Sequence, residues 1–443
     1  MFVYLKNATI TSPFLRGFRG QKKNILIEDQ FIKEVSDRDI SLQEGTEIID
    51  CEGLFVLPGI IDAHVHFRQP GAEYKADMLS ESKAALVGGV TTVFDMPNNN
   101  PPIVSKNLLD EKLTLCKDNM LCNYALYLGL TNDNIEEAIK TDQDKVIGLK
   151  LFLGSSTGNM LVNKKESIVK LFKESPFIVT AHCEDEQRIK DNTLKYKELE
   201  DLPYNIHSLI RDEKVCYDSS AYAIELAKQY GTQFHLAHIS TGKEVALLSN
   251  KKLEEKNISA EVSPNHLFFS QEDYLHFGNL MKCNPAIKTA EDKHILRQAL
   301  KEGFIDIVAT DHAPHLLEEK KQNYFQTPSG IPSIQFSLLM MLQIAKQENW
   351  DISLITEKMA ENPAKRFNVK KRGSIKEGYF ADLVFVRLGQ KHRVEKKDLL
   401  SKCKWSLLEG YTFDNSVVMT MLNGKIVAKE GKVFADNCSS MQV

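Results

Sequence analysis

Short apolar runs rich in β-branched residues recur along the chain at 59–67, 90–97, 122–130, 146–154, 177–185, 234–240, 258–269 and 306–314. Between several of them lie stretches with helical spacing, such as SESKAALVG, SSAYAIELAKQYG and KHILRQALKEG. In the last two a glycine closes the run, as helix C-termini prefer. Strand–helix alternation repeated eight times predicts a parallel sheet closed into a (β/α)8 TIM barrel, an α/β fold, over residues 58–369. The ends read differently. Residues 1–57 carry the strand-like runs NILIEDQFIKEVS and EIIDCEGLFVL, and residues 370–443 carry ADLVFVRL, NSVVMTMLNG and KIVAKEGKVF. LNGK and KEGK are hairpin signals. Neither end can bury a core alone, so 1–57 and 370–443 are expected to combine into one small β-sandwich domain beside the barrel. The last residues, DNCSSMQV, are expected to fray.

Composition narrows the class. Hydrophobic residues make up 42% of the 443 and charged residues 26%, enough for a sizeable core. Lys plus Arg (56) nearly balance Asp plus Glu (60), which argues against a nucleic-acid binder. No apolar run approaches the roughly 18 residues of a membrane span, and the first residues lack the features of a secretory signal. The 8 cysteines are scattered without a CxxC pair and read as free thiols of a reducing compartment. A cytoplasmic enzyme acting on a small molecule is the expectation, without nucleic-acid or membrane partners; a homodimer is a reasonable expectation.

The histidines carry the chemistry. In Asp62-Ala63-His64-Val65-His66, strand periodicity places Ile60, Asp62, His64 and His66 on one face and Ile61, Ala63, Val65 and Phe67 on the other. His182, His238 and Asp311 end the fifth, sixth and eighth runs. Strand C-termini of such a barrel converge on the face where active sites sit. Four histidines and an aspartate there suit Zn²⁺ or a similar divalent ion. Lys150 is the only charge in VIGLKLFLG. Burial would favour its neutral amine, which can add carbon dioxide and become a carbamate able to bridge two cations. The competing reading is an ion pair with Asp311 or Asp62.

PGIIDAHVHFRQPG, GGVTTVFDMPNNNP, IGLKLFLGSSTG, AHCED, LAHIST, NPAIK and ATDHAPH, in this order, resemble the cyclic amidohydrolases and, within them, the dihydroorotase family of the lysine-carbamate, binuclear type. ENPAKRF and GSIKEGYFADLVF resemble the segment that leaves the barrel in that superfamily. The resemblance implies two divalent cations, Zn²⁺ for preference. His64, His66 and Asp311 would bind one, His182 and His238 the other, and carboxylated Lys150 would bridge them. Arg68 would hold a substrate carboxylate with help from Asn98 and His315, and Asn284 would touch the ring amide. The implied reaction is the reversible hydrolysis of dihydroorotate to N-carbamoyl-aspartate in pyrimidine biosynthesis, by a metal-bridged hydroxide with Asp311 shuttling the proton. The chain departs from the family pattern at Gln69, Ala286, Lys288 and Gln335.

Other readings remain open at this stage. A hydantoinase, dihydropyrimidinase or allantoinase would share the motifs, but a neutral ring gives Arg68 nothing to pair with, and LFLG lacks the tyrosine those enzymes resemble one another in having after the lysine. A non-catalytic homologue would be expected to lose ligands, and all six are present. A phosphotriesterase- or deaminase-like activity is not separated by fold alone. Arg68 could instead pair with Glu73 or Asp77. Residues 316–330 read equally as a mobile lid or as a solvated loop.

Overall fold

A computed structural model describes residues 1–11, 19–154 and 160–443; the last part of the IGLKLFLGSSTG motif, 155–158, lies outside them. All eight apolar runs contain strands: β1 (Ile60–Val65), β2 (Val90–Asp95), β3 (Asn123–Gly129), β4 (Gly148–Phe152), β5 (Val179–His182), β6 (Phe234–Leu236), β7 (Ile258–Val262) and β8 (Ile307–Val308). They pair in that order, each parallel to the next. A parallel bridge between Val65 and His312 joins the last to the first, with His66 N donating to His312 O at 2.8 Å. The expected helices follow. Met78–Val87 is capped by Asp77 and stops at Gly88, while Glu213–Tyr230 and Ala290–Glu302 end on Gly231 and Gly303 at φ 71° and 84°. Left-handed backbone of that kind costs glycine least. Among the described residues no helix is long and apolar enough to cross a membrane.

The barrel interior is filled at its lower end. Ile61, Ala63, Phe94, Tyr127, Ile307 and Phe367 form one cluster, with the Phe367 ring edge-on to Phe94 and Tyr127 at 5.3 and 6.2 Å. Phe367 follows the short helix Asn362–Arg366, so the ENPAKRF segment folds back as a plug. The strict two-residue alternation expected of β1 does not hold. Ile61 and Ala63 belong to the interior cluster, but Val65 and Phe67 pack in the layer between strands and helices. The register against β2 slips between Asp62 and Val65, and such a bulge reverses which way later side chains point. Asp62, expected beside His64, instead binds Thr310 N and Oγ1 at 2.9 and 2.6 Å.

Both termini contribute to one nine-stranded sheet. Its seam is the antiparallel pairing of Phe55–Pro58 with Leu383–Arg387. Val3, Leu5, Ile25, Val56, Phe385 and Met421 belong to its core. LNGK and KEGK turn as read: Asn423 and Gly424 (φ 49° and 82°) and Glu430 and Gly431 (50° and 76°) take positive φ at both corners, the twist a two-residue hairpin needs.

The tail does not fray. Tyr124 N donates to Met441 O at 2.9 Å, Val443 N to Tyr124 O at 3.0 Å, Met441 N to Asn123 Oδ1 at 3.0 Å and Asn423 Nδ2 to Ser439 O at 2.8 Å. Asn123 is fully buried, so its bond to Met441 N anchors the tail against the barrel interior. Deleting residues 439–443 should therefore destabilise the fold by about 2–5 kcal/mol, from several net hydrogen bonds at about 1 kcal/mol each. Urea unfolding checks this; an unchanged midpoint would mean the tail contributes nothing.

Candidate active site

One chamber of about 610 Å³ opens at the C-terminal mouth of the barrel, and all ten residues singled out from the sequence line it. The first group gathers around Asp311. Its Oδ1 lies 3.0 Å from His66 Nε2 and 3.5 Å from His64 Nε2. Across the chamber His182 Nδ1 faces His238 Nε2 at 3.0 Å. Ligand atoms on one tetrahedral zinc, at bonds of about 2.0–2.1 Å, stand roughly 3.3 Å apart. Both groups have that spacing, and His64, His66 and Asp311 form a cluster able to hold one cation.

The far nitrogens of the histidines decide which atoms face the centre. His64 Nδ1 donates to Glu261, His66 Nδ1 to Asn98 Oδ1 at 2.6 Å, and His182 Nε2 to Glu184 Oε2 at 2.8 Å. Each acceptor takes the ring proton on one side and leaves a bare nitrogen on the other, the arrangement of metal-binding histidines. Burial lowers the pKa of His66, to about 4, and of His182 and His238, so the rings are neutral and able to ligate. Burial alone would raise Asp311, but His64 and His66 outweigh it and bring the carboxyl to about 2.

Lys150 stands on β4 with its side chain fully buried. Its Nζ has no hydrogen-bond partner among the described residues, and neither has Nδ1 of His238. Neither Asp62 nor Asp311 pairs with the amine. Burial pushes it down to about 8, against the pull of Glu261 and Asp311. An amine with that pKa is partly neutral near physiological pH, the form that reacts with carbon dioxide. A buried amine left without acceptors, among bare imidazole nitrogens and one carboxylate, fits a pair of divalent cations bridged through Lys150.

The other end of the chamber is built to attract an anion. Arg68 lies beyond β1 at φ 67°, not on the strand face that periodicity implied. Its Nε donates to Pro314 O at 3.2 Å and its Nη2 lies 3.2 Å from His315 Nε2. No carboxylate is within ion-pair distance of it among the described residues: Glu73 accepts from Gly71 N, and Asp77 caps a helix and pairs with Lys402. Lys75 Nζ reaches His315 Nδ1 at 3.2 Å. An ammonium and a guanidinium only donate, so His315 meets a donor at each ring nitrogen, Lys75 at Nδ1 and Arg68 at Nε2, and Nε2 also lies 3.1 Å from Ser329 O. Asn98, expected at the substrate carboxylate, has its Oδ1 committed to His66. Asn284 projects a buried Oδ1 that meets no donor among the described residues.

A model of the amidohydrolase family matches residues 55–427 of the chain. The chain belongs to the amidohydrolase family. It is 31% identical to a dihydroorotase of Methanothermobacter thermautotrophicus (strain ATCC 29096 / DSM 1053 / JCM 10044 / NBRC 100330 / Delta H) over 417 residues, 94% of this chain and 93% of that one. It is 30% identical to a dihydroorotase of Staphylococcus aureus (strain Mu50 / ATCC 700699), covering 92% and 95%. Among solved structures it superposes on an L-hydantoinase (dihydropyrimidinase) from Arthrobacter aurescens with a TM-score of 0.91, 26% identity and 98% of each chain. It is a hydrolytic enzyme of the cyclic amidohydrolase kind.

Several residues that matter to this amidohydrolase escaped the sequence reading. Glu261, on β7, accepts from His64 and from His235 Nε2 at 3.0 Å, and it lies 3.3 Å from His238 N. Burial opposes its ionisation, yet His64 and His235 hold its carboxyl far below the usual range. Glu184 is shared by His182 and Arg211. Buried Lys112 pairs with Asp95 at 2.7 Å and donates to Met96 O and Asn99 Oδ1, fixing the MPNNN loop that carries Asn98. A charge inside an apolar strand was the available signal, and Glu261 in ISAEV gives it as plainly as Lys150 does. The departures from the family pattern lie outside the chamber lining. Gln69 Oε1 accepts from Met78 N, and Gln335 bridges Asp398 O and Leu400 N.

Glu261→Gln should keep the shape but lose the charge that holds His64 in its ligating tautomer. Divalent-metal affinity should fall about 10–100-fold, measured by competition with a chelator. Wild-type affinity would reduce Glu261 to a packing role.

Proposed function

We propose that the chain is a dihydroorotase, interconverting dihydroorotate and N-carbamoyl-aspartate. The observation that carries this reading is Arg68: a partly buried guanidinium in the chamber, beside Lys75 and His315, with no carboxylate partner among the described residues. Dihydroorotate carries a ring carboxylate; hydantoin and dihydrouracil carry none. A guanidinium binds a carboxylate through two parallel hydrogen bonds. Asn284 Oδ1, buried without a donor, suits a ring N–H at the opposite end. The dihydroorotase relatives support the same substrate. The close superposition on an L-hydantoinase favours a second reading, a neutral cyclic amide as substrate.

His64, His66 and Asp311 would hold one divalent cation, His182 and His238 a second, and the Lys150 carbamate would join them. Bound there, such cations supply Lewis-acid polarisation of the amide carbonyl and a water acidic enough to attack near neutral pH. The chain's own groups do the rest. Arg68 and His315 orient the ring by its carboxylate and bring the scissile amide to the metal end. The Asp311 carboxylate, ionised across the working range, accepts the proton of the attacking water and delivers it to the leaving ring nitrogen. In ring closure the same carboxylate takes that proton back.

Three measurements test this. A charge-assisted contact contributes about 1.5–3 kcal/mol, so Arg68→Met should lower kcat/KM for dihydroorotate by at least roughly 10–150-fold with metals retained. Wild-type enzyme should prefer dihydroorotate over dihydrouracil by a larger factor; comparable values would favour the hydantoinase reading. Lys150→Ala should lose one or both cations and most activity, with partial rescue by a small carboxylic acid. Full metal content by elemental analysis and near-normal turnover would remove Lys150 from the centre.

A further inference from the structure

Residues 316–330 look hydrophilic in sequence, LLEEKKQNYFQTPSG, yet they are pinned from inside. Lys320 is 1% exposed, although it lies in a run of four consecutive charges. Its Nζ donates to Lys282 O at 2.8 Å, Pro328 O at 3.0 Å and Gly330 O at 3.0 Å. An ammonium has three donors and no acceptor; here each donor has one carbonyl. Lys282 adds a second tie, from its own Nζ to Tyr324 O at 2.7 Å and Thr327 O at 2.6 Å. Pro328, Ser329 and Gly330 line the chamber, residues 321–323, Phe325 and Gln326 are exposed, and the two lysines tie the segment down between them.

The three carbonyls belong to two stretches of chain that meet the chamber at different points. Pro328 and Gly330 flank Ser329, whose carbonyl lies 3.1 Å from His315 Nε2. Gly330, at φ 149°, packs so closely that a Cβ there would lie 2.9 Å from His315 Cδ2 and 2.3 Å from Ala313 O. Lys282 stands two residues before Asn284, and its carbonyl also accepts from Gly330 N at 2.9 Å. Lys320 itself touches neither chamber residue; it fixes the backbone behind both.

We propose that Lys320 is a positioning residue that sets His315 and Asn284 relative to each other, and so matches the chamber to the length of its substrate from carboxylate to ring amide. The proposal rests on the reading of these two residues as substrate contacts. Replacing the ammonium with an apolar side chain takes that donor from Pro328 O and Gly330 O and leaves the two stretches joined more weakly, through Gly330 N to Lys282 O and the Lys282 ammonium. Lys320 bonds none of the cation ligands, although Asp311 and His315 leave the same strand, β8. Lys320→Met should therefore raise KM for dihydroorotate about 10-fold or more while metal content stays at the wild-type value and kcat falls much less. Lys320→Gln, which can serve two of the three carbonyls, should lie between, and it carries the test if Lys320→Met does not fold. Gly330→Ala perturbs His315 from the other side with Lys320 intact. It should raise KM in the same way, and combined with Lys320→Met it should add less than the product of the single effects.

Wild-type KM in folded Lys320→Met or Lys320→Gln overturns the proposal, as does a loss of activity that tracks loss of metal. Failure of the substrate reading looks different: wild-type enzyme would then leave dihydroorotate unchanged. In that case the same KM comparison on the cyclic amide it does hydrolyse decides the role of Lys320.

Discussion

The folded chain gathers an amine, several bare imidazole nitrogens and a carboxylate in one chamber without enough hydrogen-bond partners to satisfy them. Nζ of Lys150 and Nδ1 of His238 lack partners, and His182 and His238 point nitrogens at each other across 3.0 Å. Each unsatisfied buried polar group costs about 1–3 kcal/mol. Much of the surrounding structure is explained by that deficit. Glu261, Asn98 and Glu184 take the outward protons of His64, His66 and His182. Arg211 in turn neutralises Glu184, and burial is so far outweighed by Arg211 and His182 that the Glu184 carboxyl sits at about 2. The polar shell is satisfied outward and left open inward, which is the condition for binding cations tightly.

Three of the non-glycine residues with left-handed backbone fall at the same place. Arg68, His238 and Asp311 take positive φ of 67°, 32° and 50° without being glycine. Such conformations cost about 1 kcal/mol or more and persist where the surroundings impose them. Here they follow directly on strand ends: the chain must leave the strand while its side chain still points into the mouth. The compensating stability lies at the opposite end of the barrel. There Phe94, Tyr127 and Phe367 fill the interior, the C-terminal residues pair with β3, and the nine-stranded sheet has its own core. Catalytic strain and stabilising packing therefore occupy opposite ends of the same eight strands.

The sequence made the strands and the chamber residues legible for one reason: the barrel turns strand ends into neighbours. His64, His182, His238 and Asp311 are far apart in the chain but equivalent in the repeat, so reading the repeat was enough to gather them. What stayed hidden depends on contacts between unlike positions. The bulge in β1 is a mismatch against β2, and strict alternation has no means of showing it. Glu184, sharing AHCED with His182, was passed over because its role needs Arg211, which lies in a different segment. Lys320 was hidden in a charged run whose composition says surface; only three carbonyls from distant residues draw it inside. The C-terminal tail was misread in the same way, because polar residues at a chain end carry no sign of the edge of β3 that they complete.

The division of the chamber also explains why overall similarity says so little about substrate. The L-hydantoinase superposition extends over 98% of each chain, and superposition of that extent reports the strands and the layers around them. The loops beyond strand ends supply the side chains at the cationic end of the chamber, Arg68 and Lys75 after β1 and His315 and Ser329 after β8, which the proposed function would use to recognise a ring substituent. A protein can keep every strand and exchange these side chains, because they bear on each other across the mouth and not on the core. The cationic end of the chamber is costly in the absence of an anion: Arg68 and Lys75 both line it, and burial lowers the pKa of each, with Glu319 the acid nearest Lys75 at 3.7 Å. A ring carboxylate bound there, as the proposed function has it, would remove that cost, whereas a neutral ring would leave it in place and add the desolvation of the guanidinium. Selectivity in such a site arises as much from what the empty chamber lacks as from any contact the bound ring makes.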